Sequence, residues 1–123
     1  MLAGSKAFSG IAVTDMAEAR RFYAETLGLR TSEEHGLMWL HHAGERATLV
    51  YEQPEATAAS YTVLNFEVDD IDAAVEFLRA RGVTLERFDG LQQDDAGVFR
   101  EEGPFIAWFK DPSGNVLSVL QER

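Results

Sequence analysis

His35, His41 and His42 are the only histidines of the chain. Imidazole is the side chain best suited to moving a proton or holding a transition metal near neutral pH. His41 and His42 stand close to Glu45 and Glu52, so a histidine–carboxylate metal site is one chemistry on offer. Neighbouring residues of a strand point to opposite faces, however, which keeps His41 and His42 from converging on one ion. His35, among Glu33, Glu34 and Gly36, reads as an exposed turn residue. Glu52 and Glu67 are the candidate general bases, provided burial raises one of them toward neutrality. A lone hydroxyl, Ser118, interrupts the apolar run NVLSVL (115–120), and a lone amide, Asn65, interrupts VLNFEV (63–68). The chain has no Cys, which excludes thiolate metal sites, Cys nucleophiles and disulfides. No Ser-His-Asp order, phosphate-binding glycine loop or zinc-helix motif is present.

The elements that must carry these groups are written twice. FSGIAVTDMAEARRFYAETLG (8–28) and VLNFEVDDIDAAVEFLRARG (63–82) each give a strand ending in Val, then Asp, then an amphipathic helix stopped by Gly. Val13 and Val68, like Asp15 and Asp70, lie 55 positions apart, whereas Gly28 and Gly82 lie 54 apart. Asp15, with Glu18 completing a capping box, starts the first helix; Asp69 or Asp70 starts the second. Ile71, Ala74, Val75 and Leu78 repeat at helical spacing. The strand-like runs that follow are 29–34, 36–42 and 46–52 in the first half, and 83–88, 104–110 and 115–120 in the second. Each half reads βαβββ, and a repeat at this spacing points to tandem duplication. Residues 6–52 form the first module, 53–60 a linker, and 61–121 the second module of a single domain over 1–123. The segment 89–103 is long, acidic and glycine-bearing, with Asp94, Asp95, Arg100, Glu101 and Glu102. Solvated charge is its simplest reading, and a mobile lid over a cationic or polar ligand is the functional one.

The 123 residues suffice for one packed core, and 46% hydrophobic content is ordinary for a globular chain. The net charge of −10 argues against nucleic acid and anionic membrane as partners. With no long apolar run and no signal-like N-terminus, a cytoplasmic location is expected.

The motifs VTDMAEARRFYAETLGL (13–29), NFEVDDIDAAVEFLRARGV (65–83) and AWFKDPSGNVLSVLQ (107–121) resemble the vicinal oxygen chelate superfamily. This group takes in glyoxalase, bleomycin-resistance proteins, fosfomycin-resistance enzymes and extradiol dioxygenases. The resemblance implies an α+β fold of two tandem βαβββ modules whose curved mixed sheets enclose a cavity. In the superfamily's metalloenzymes two His and two Glu on those sheets hold a divalent metal. Here the His positions fall on Phe8 and Val63, one Glu position on Ser118, and the last within Thr48 to Val50. No metal and no other cofactor is therefore expected.

Strand alternation puts Leu64, Phe66 and Val68 under the second helix, and Ile11 and Val13 under the first. It turns Phe8, Gly10, Ala12, Val63, Asn65, Glu67, Val116, Ser118 and Leu120 to the cavity. The expected ligand-binding set is Phe8, Trp39, Tyr51, Val63, Asn65, Trp108 and Ser118, an aromatic pocket with sparse polar groups. The function expected is metal-free binding of a small organic molecule, planar or cationic, by a homodimer like those of the bleomycin-resistance branch. The alternative is a glyoxalase-like lyase or isomerase, or a dioxygenase. It would use a displaced metal near His41, His42, Glu45 or Glu52, or metal-free acid–base catalysis.

Overall fold

A computed structural model describes residues 1–123. Seven strands and two α-helices divide into two compact units, Met1–Thr57 and Ala58–Arg123. In the first unit β1 (Ser9–Val13), β2 (Arg30–Glu34), β3 (Leu37–His42) and β4 (Arg46–Glu52) form a mixed sheet in the order β1-β4-β3-β2. β1 runs parallel to β4, and the other pairs are antiparallel. The β2–β3 hairpin turns on two residues with positive φ, His35 at 53° and Gly36 at 78°. Both values suit a primed turn, whose twist matches the strands it joins.

The first helix begins as expected at Asp15, whose Oδ1 accepts the Glu18 N–H at 3.0 Å. Glu18 does not return a bond. Glu52 Oε2, from the end of β4, accepts the Met16 N–H at 2.9 Å instead. After α1 (Met16–Arg20) the helix widens into a π-helical turn, Arg21–Thr26, with Leu27 N–H reaching Phe22 O. A π turn is a one-residue insertion in an α-helix, and it explains why Gly28 and Gly82 drift by one position relative to their helix caps. Ile11, Val13, Met38, Leu40, Thr48 and Val50 share one sheet face and are buried together with Met16, Ala19 and Tyr23 of the helix.

The second unit holds β5 (Thr62–Glu67), α2 (Ile71–Ala80), β6 (Phe105–Lys110) and β7 (Val116–Gln121). Asp70, rather than Asp69, caps α2, accepting the Ala73 N–H at 3.1 Å. At the other end Gly82, with φ 79°, lets Val83 N–H reach back to Leu78 O. The start of this helix is held by the last strand too, since Gln121 Oε1 accepts the Ile71 N–H at 2.8 Å. The sheet has three strands in the order β5-β7-β6. The strand expected over 83–88 does not form. Only Glu86 N–H reaches β6, at Trp108 O, while Phe99 exchanges both backbone bonds with Ile106. The segment 89–103 therefore occupies the edge that 83–88 was expected to fill.

That segment is tied down rather than free. Asp94 Oδ1 accepts the Ala96 and Val98 N–H groups, and its Oδ2 accepts Arg100 Nε at 2.9 Å. Arg100 extends to Asp72 on α2 at 2.6 Å, and Val98 is fully buried. The Gln93 side chain bonds Glu86 O, Gly97 O and Phe88 N–H. Asp94, Asp95, Glu101 and Glu102 are exposed all the same, and Arg100 is half-buried. The DPSGN turn is equally internal. Asp111, 4% exposed, accepts the Ser113 and Asn115 N–H groups and the Asn115 amide. Gly114 supplies a φ of 90°, which other residues adopt at a cost.

Candidate functional site

Each unit has a second sheet face, turned away from its helix, and the expected site residues divide between these faces. In the first unit the register puts Gly10, Ala12, Trp39, Leu49 and Tyr51 together. Phe8 meets Trp39 edge to face at 4.8 Å between ring centres and remains 61% exposed. Gly10 leaves room for Tyr51: a Cβ there would lie 3.4 Å from its ring. Tyr51 therefore joins the aromatic face, and Glu52 lies on the opposite one. With its carboxylate accepting the Met16 N–H, Glu52 is a helix anchor and not a base over this surface.

In the second unit Asn65, Ser118 and Trp108 line up across three strands, with Glu67 one step further along the same face. Trp108 stacks edge to face with Phe88 at 5.4 Å. Of the two cavity-facing polar residues, Asn65 is exposed and Ser118 is wholly buried. The Ser118 hydroxyl donates to Asn65 Oδ1 at 2.6 Å. A short hydrogen bond from a buried hydroxyl satisfies its donor, which answers why a polar residue sits mid-strand. Val63 lies at an irregularity between the pairs Thr62–Val116 and Leu64–Leu117, so alternation alone does not fix its direction. Glu67 is exposed.

The register identifies the counterpart of Ser118 in the first unit. Leu49 is flanked by Gly10 and Trp39 as Ser118 is flanked by Asn65 and Trp108. With Leu49 as that counterpart, the residues at the ligand positions that the resemblance implies are Phe8, Leu49, Val63 and Ser118, a set without the imidazole or carboxylate donors that a divalent metal needs. No three His, Asp or Glu side chains gather in a metal-binding arrangement anywhere in the chain.

The histidines take the opposed directions that strand geometry requires. His41 Nε2 pairs with Ser32 Oγ at 2.7 Å, and His42 Nε2 with Thr48 Oγ1 at 2.9 Å on the helix side. Burial, reinforced by the neighbouring His41, lowers the His42 pKa below the ordinary histidine value. His41 and His42 border a surface recess of about 500 Å³ together with Arg30, Glu45, Arg46 and Ala47. A second recess, about 520 Å³, lies along the 91–101 segment beside Gln93, Val98 and Arg100. Burial alone would raise the Asp94 carboxyl there. The bonds from Val98 N–H, Arg100 and Ala96 N–H outweigh it, and the pKa falls below the usual aspartate value.

A mixed sheet carrying its helix on one face and an aromatic surface on the other, built twice, is the plan of one protein class. The chain belongs to the Glyoxalase/Bleomycin resistance protein/Dioxygenase superfamily, whose family model matches residues 7–119. Among solved structures it is similar to TnmS3, an antibiotic-binding protein from a Streptomyces species, with 25% identity over 100% of both chains and a TM-score of 0.71. A glyoxalase family protein from Enterococcus faecalis shares 22% identity over 98% of this chain and 99% of its own, at a TM-score of 0.69. The fosfomycin resistance protein FosX from Mesorhizobium loti shares the fold at a TM-score of 0.67, with 12% identity over 98% of this chain and 93% of its own. No curated protein sequence matches the chain significantly. No helix is long and apolar enough to cross a membrane.

Proposed function

We propose that this chain binds a small planar organic molecule, cationic in its preferred form, on its aromatic sheet faces without a divalent metal. The observation that carries the reading is the Phe8–Trp39 pair. At the position where the superfamily's metalloenzymes place a histidine, this chain has an exposed phenyl ring packed against an indole. Aromatic faces attract flat ligands through stacking and cations through the ring quadrupole. Leu49, Val63 and Ser118 add no donor suited to a metal, and the net charge of −10 draws cations toward the molecule. Likeness to an antibiotic-binding protein over the full length of both chains points the same way. The homodimer implied by the family goes with this reading, and sedimentation equilibrium checks it.

The test is a tryptophan-fluorescence titration with planar antibiotics, cationic and neutral, on protein prepared without an affinity tag. Saturable quenching that Trp39→Leu removes supports the reading. Absence of quenching with every compound overturns it, as does stoichiometric Ni, Zn, Mn or Fe in the purified protein. A catalysed reaction lost in Glu67→Gln would replace it with the enzymatic reading.

A further inference from the structure

The chain has two asparagines, Asn65 and Asn115, and only one of them uses its whole amide. Asn115 donates from Nδ2 to Asp111 at 3.0 Å and accepts the Ala59 N–H at its Oδ1. Asn65, exposed on the sheet face away from α2, accepts from Ser118 Oγ at 2.6 Å, and its Nδ2 makes no hydrogen bond within the protein. Burial fixes which way round this amide sits. Ser118 is wholly buried, and its hydroxyl has no other partner. With the amide turned over, Nδ2 would donate to Oγ and the serine proton would be left buried and unbonded, which folded proteins avoid. The Asn65 oxygen is therefore held against Ser118, and its two N–H donors are left for another partner.

The register sets what lies beside these donors. Ser118 stands between Asn65 and Trp108 in one row across β5, β7 and β6. Trp108 is half-buried and meets the exposed Phe88 edge to face. Two strand spacings separate Asn65 from Trp108 by about 10 Å along the row, a span that a fused-ring molecule bridges. In the first unit the same row reads Gly10, Leu49 and Trp39, with no polar group, so the free amide belongs to the second face alone. We infer that this face recognises the carbonyl oxygen of a flat, fused-ring ligand, with Asn65 Nδ2 as the donor and Ser118 as the positioning residue that holds the amide. A ring carbonyl only accepts, and its lone pairs lie in the ring plane, so a ligand lying along Trp108 presents that oxygen edge-on to the amide. Glu67, one step further along the face, offers acceptors only. It repels the carbonyl and attracts a cationic substituent, which sets the direction of the ligand. The inference rests on the planar-ligand function proposed above and names the group that gives it specificity.

The test is equilibrium dialysis of the full chain against the aminomethyl derivatives of fluorenone and fluorene, flat cations that differ only in a ring carbonyl. The fluorenone should bind roughly threefold to tenfold tighter, as expected of one added hydrogen bond. Asn65→Asp keeps an oxygen for Ser118 but replaces the donors with acceptors, and it should erase or reverse the preference. Ser118→Ala, which frees the amide to turn, should shrink the preference about twofold, whereas a merely structural serine would shift both ligands alike. Equal affinities in the wild-type protein, or a preference that survives Asn65→Asp, overturns the carbonyl assignment and leaves the planar-ligand function standing. Binding of neither compound overturns both. A preference lost in Asn65→Asp but intact in Ser118→Ala overturns the positioning role of Ser118.

Discussion

The two units carry one plan to different ends. In the first, a two-residue turn lays β2 against β3 along five paired positions. In the second, residues 83–88 reach β6 through one backbone bond, because Phe99 has already taken Ile106. The cause can be counted. Trp39 and Trp108, Leu49 and Ser118, and Glu52 and Gln121 are each 69 positions apart, against 55 for the preceding strands and helix caps. After the helices the offset is 54, from Gly28 to Gly82, so 15 extra residues form the inserted segment, which bends back onto the sheet edge. An edge strand offers unpaired donors and acceptors to whatever reaches it first. A strand-like sequence states an ability to pair, while chain length nearby decides which segment does so.

The sharpest test of equal cores is truncation. Phe109→Ala in the second unit should cost about 3–5 kcal/mol, and Met38→Ala in the first about 2–5 kcal/mol, as read from urea unfolding. Both residues are buried, so a negligible loss at either would show that its unit lacks a tight core. Next comes the inserted segment, which only the second unit has. Asp94→Asn should lower the protection of the Val98 and Phe99 amides in hydrogen exchange by about 1–2 kcal/mol at neutral pH. The pKa of Asp94 is depressed in the folded state. Its contribution is therefore complete above the unfolded value of about 3.9, and it disappears as pH falls through the lower folded value. The Asn variant should lack that acid-dependent loss, and an unchanged acid profile would mean the carboxylate does not hold the segment.

Smaller again is the effect at the paired helix anchors. Glu52→Ala and Gln121→Ala should each cost about 1 kcal/mol, while Glu52→Gln, which copies the other unit, should be nearly neutral in thermal unfolding. A Glu52→Gln protein of unchanged stability that lost a catalysed reaction would reverse the assignment of Glu52 as an anchor. Ser118→Ala should have the least effect, roughly 0.5–1 kcal/mol, because exposed Asn65 can turn to water once the hydroxyl is gone.

The repeat, both helix starts, all seven strands within a residue or two, and the superfamily were legible because local pattern determines them. Strands β1 and β5 were legible only as the starts of their repeat units, and the run 83–88 reads as an eighth strand that does not form. The opposed directions of His41 and His42 followed from pleating alone. What escaped was decided by contacts between distant segments. The Glu52 carboxylate reads as a free base until the Met16 N–H, 36 positions earlier, is seen beneath it. Asn65 is exposed and Ser118, opposite it in the register, is buried, because solvent access depends on neighbouring strands, not on alternation. The paired roles of Asp94 and Arg100 were hidden within an acidic stretch whose composition looks solvated.

The closing side chains at Glu52 and Gln121 also set an order of events during folding. Beyond its local Asp cap, neither helix start gains its second side-chain bond until the last strand of its own unit has arrived, 36 positions away in the first and 50 in the second. Loop-closure entropy makes the longer connection costlier by only about 0.3 kcal/mol. On a ribosome the difference lies in timing rather than energy. The first unit can clasp as soon as Glu52 emerges, and the second must wait, its helix start held by Asp70 alone, until Gln121 has been made.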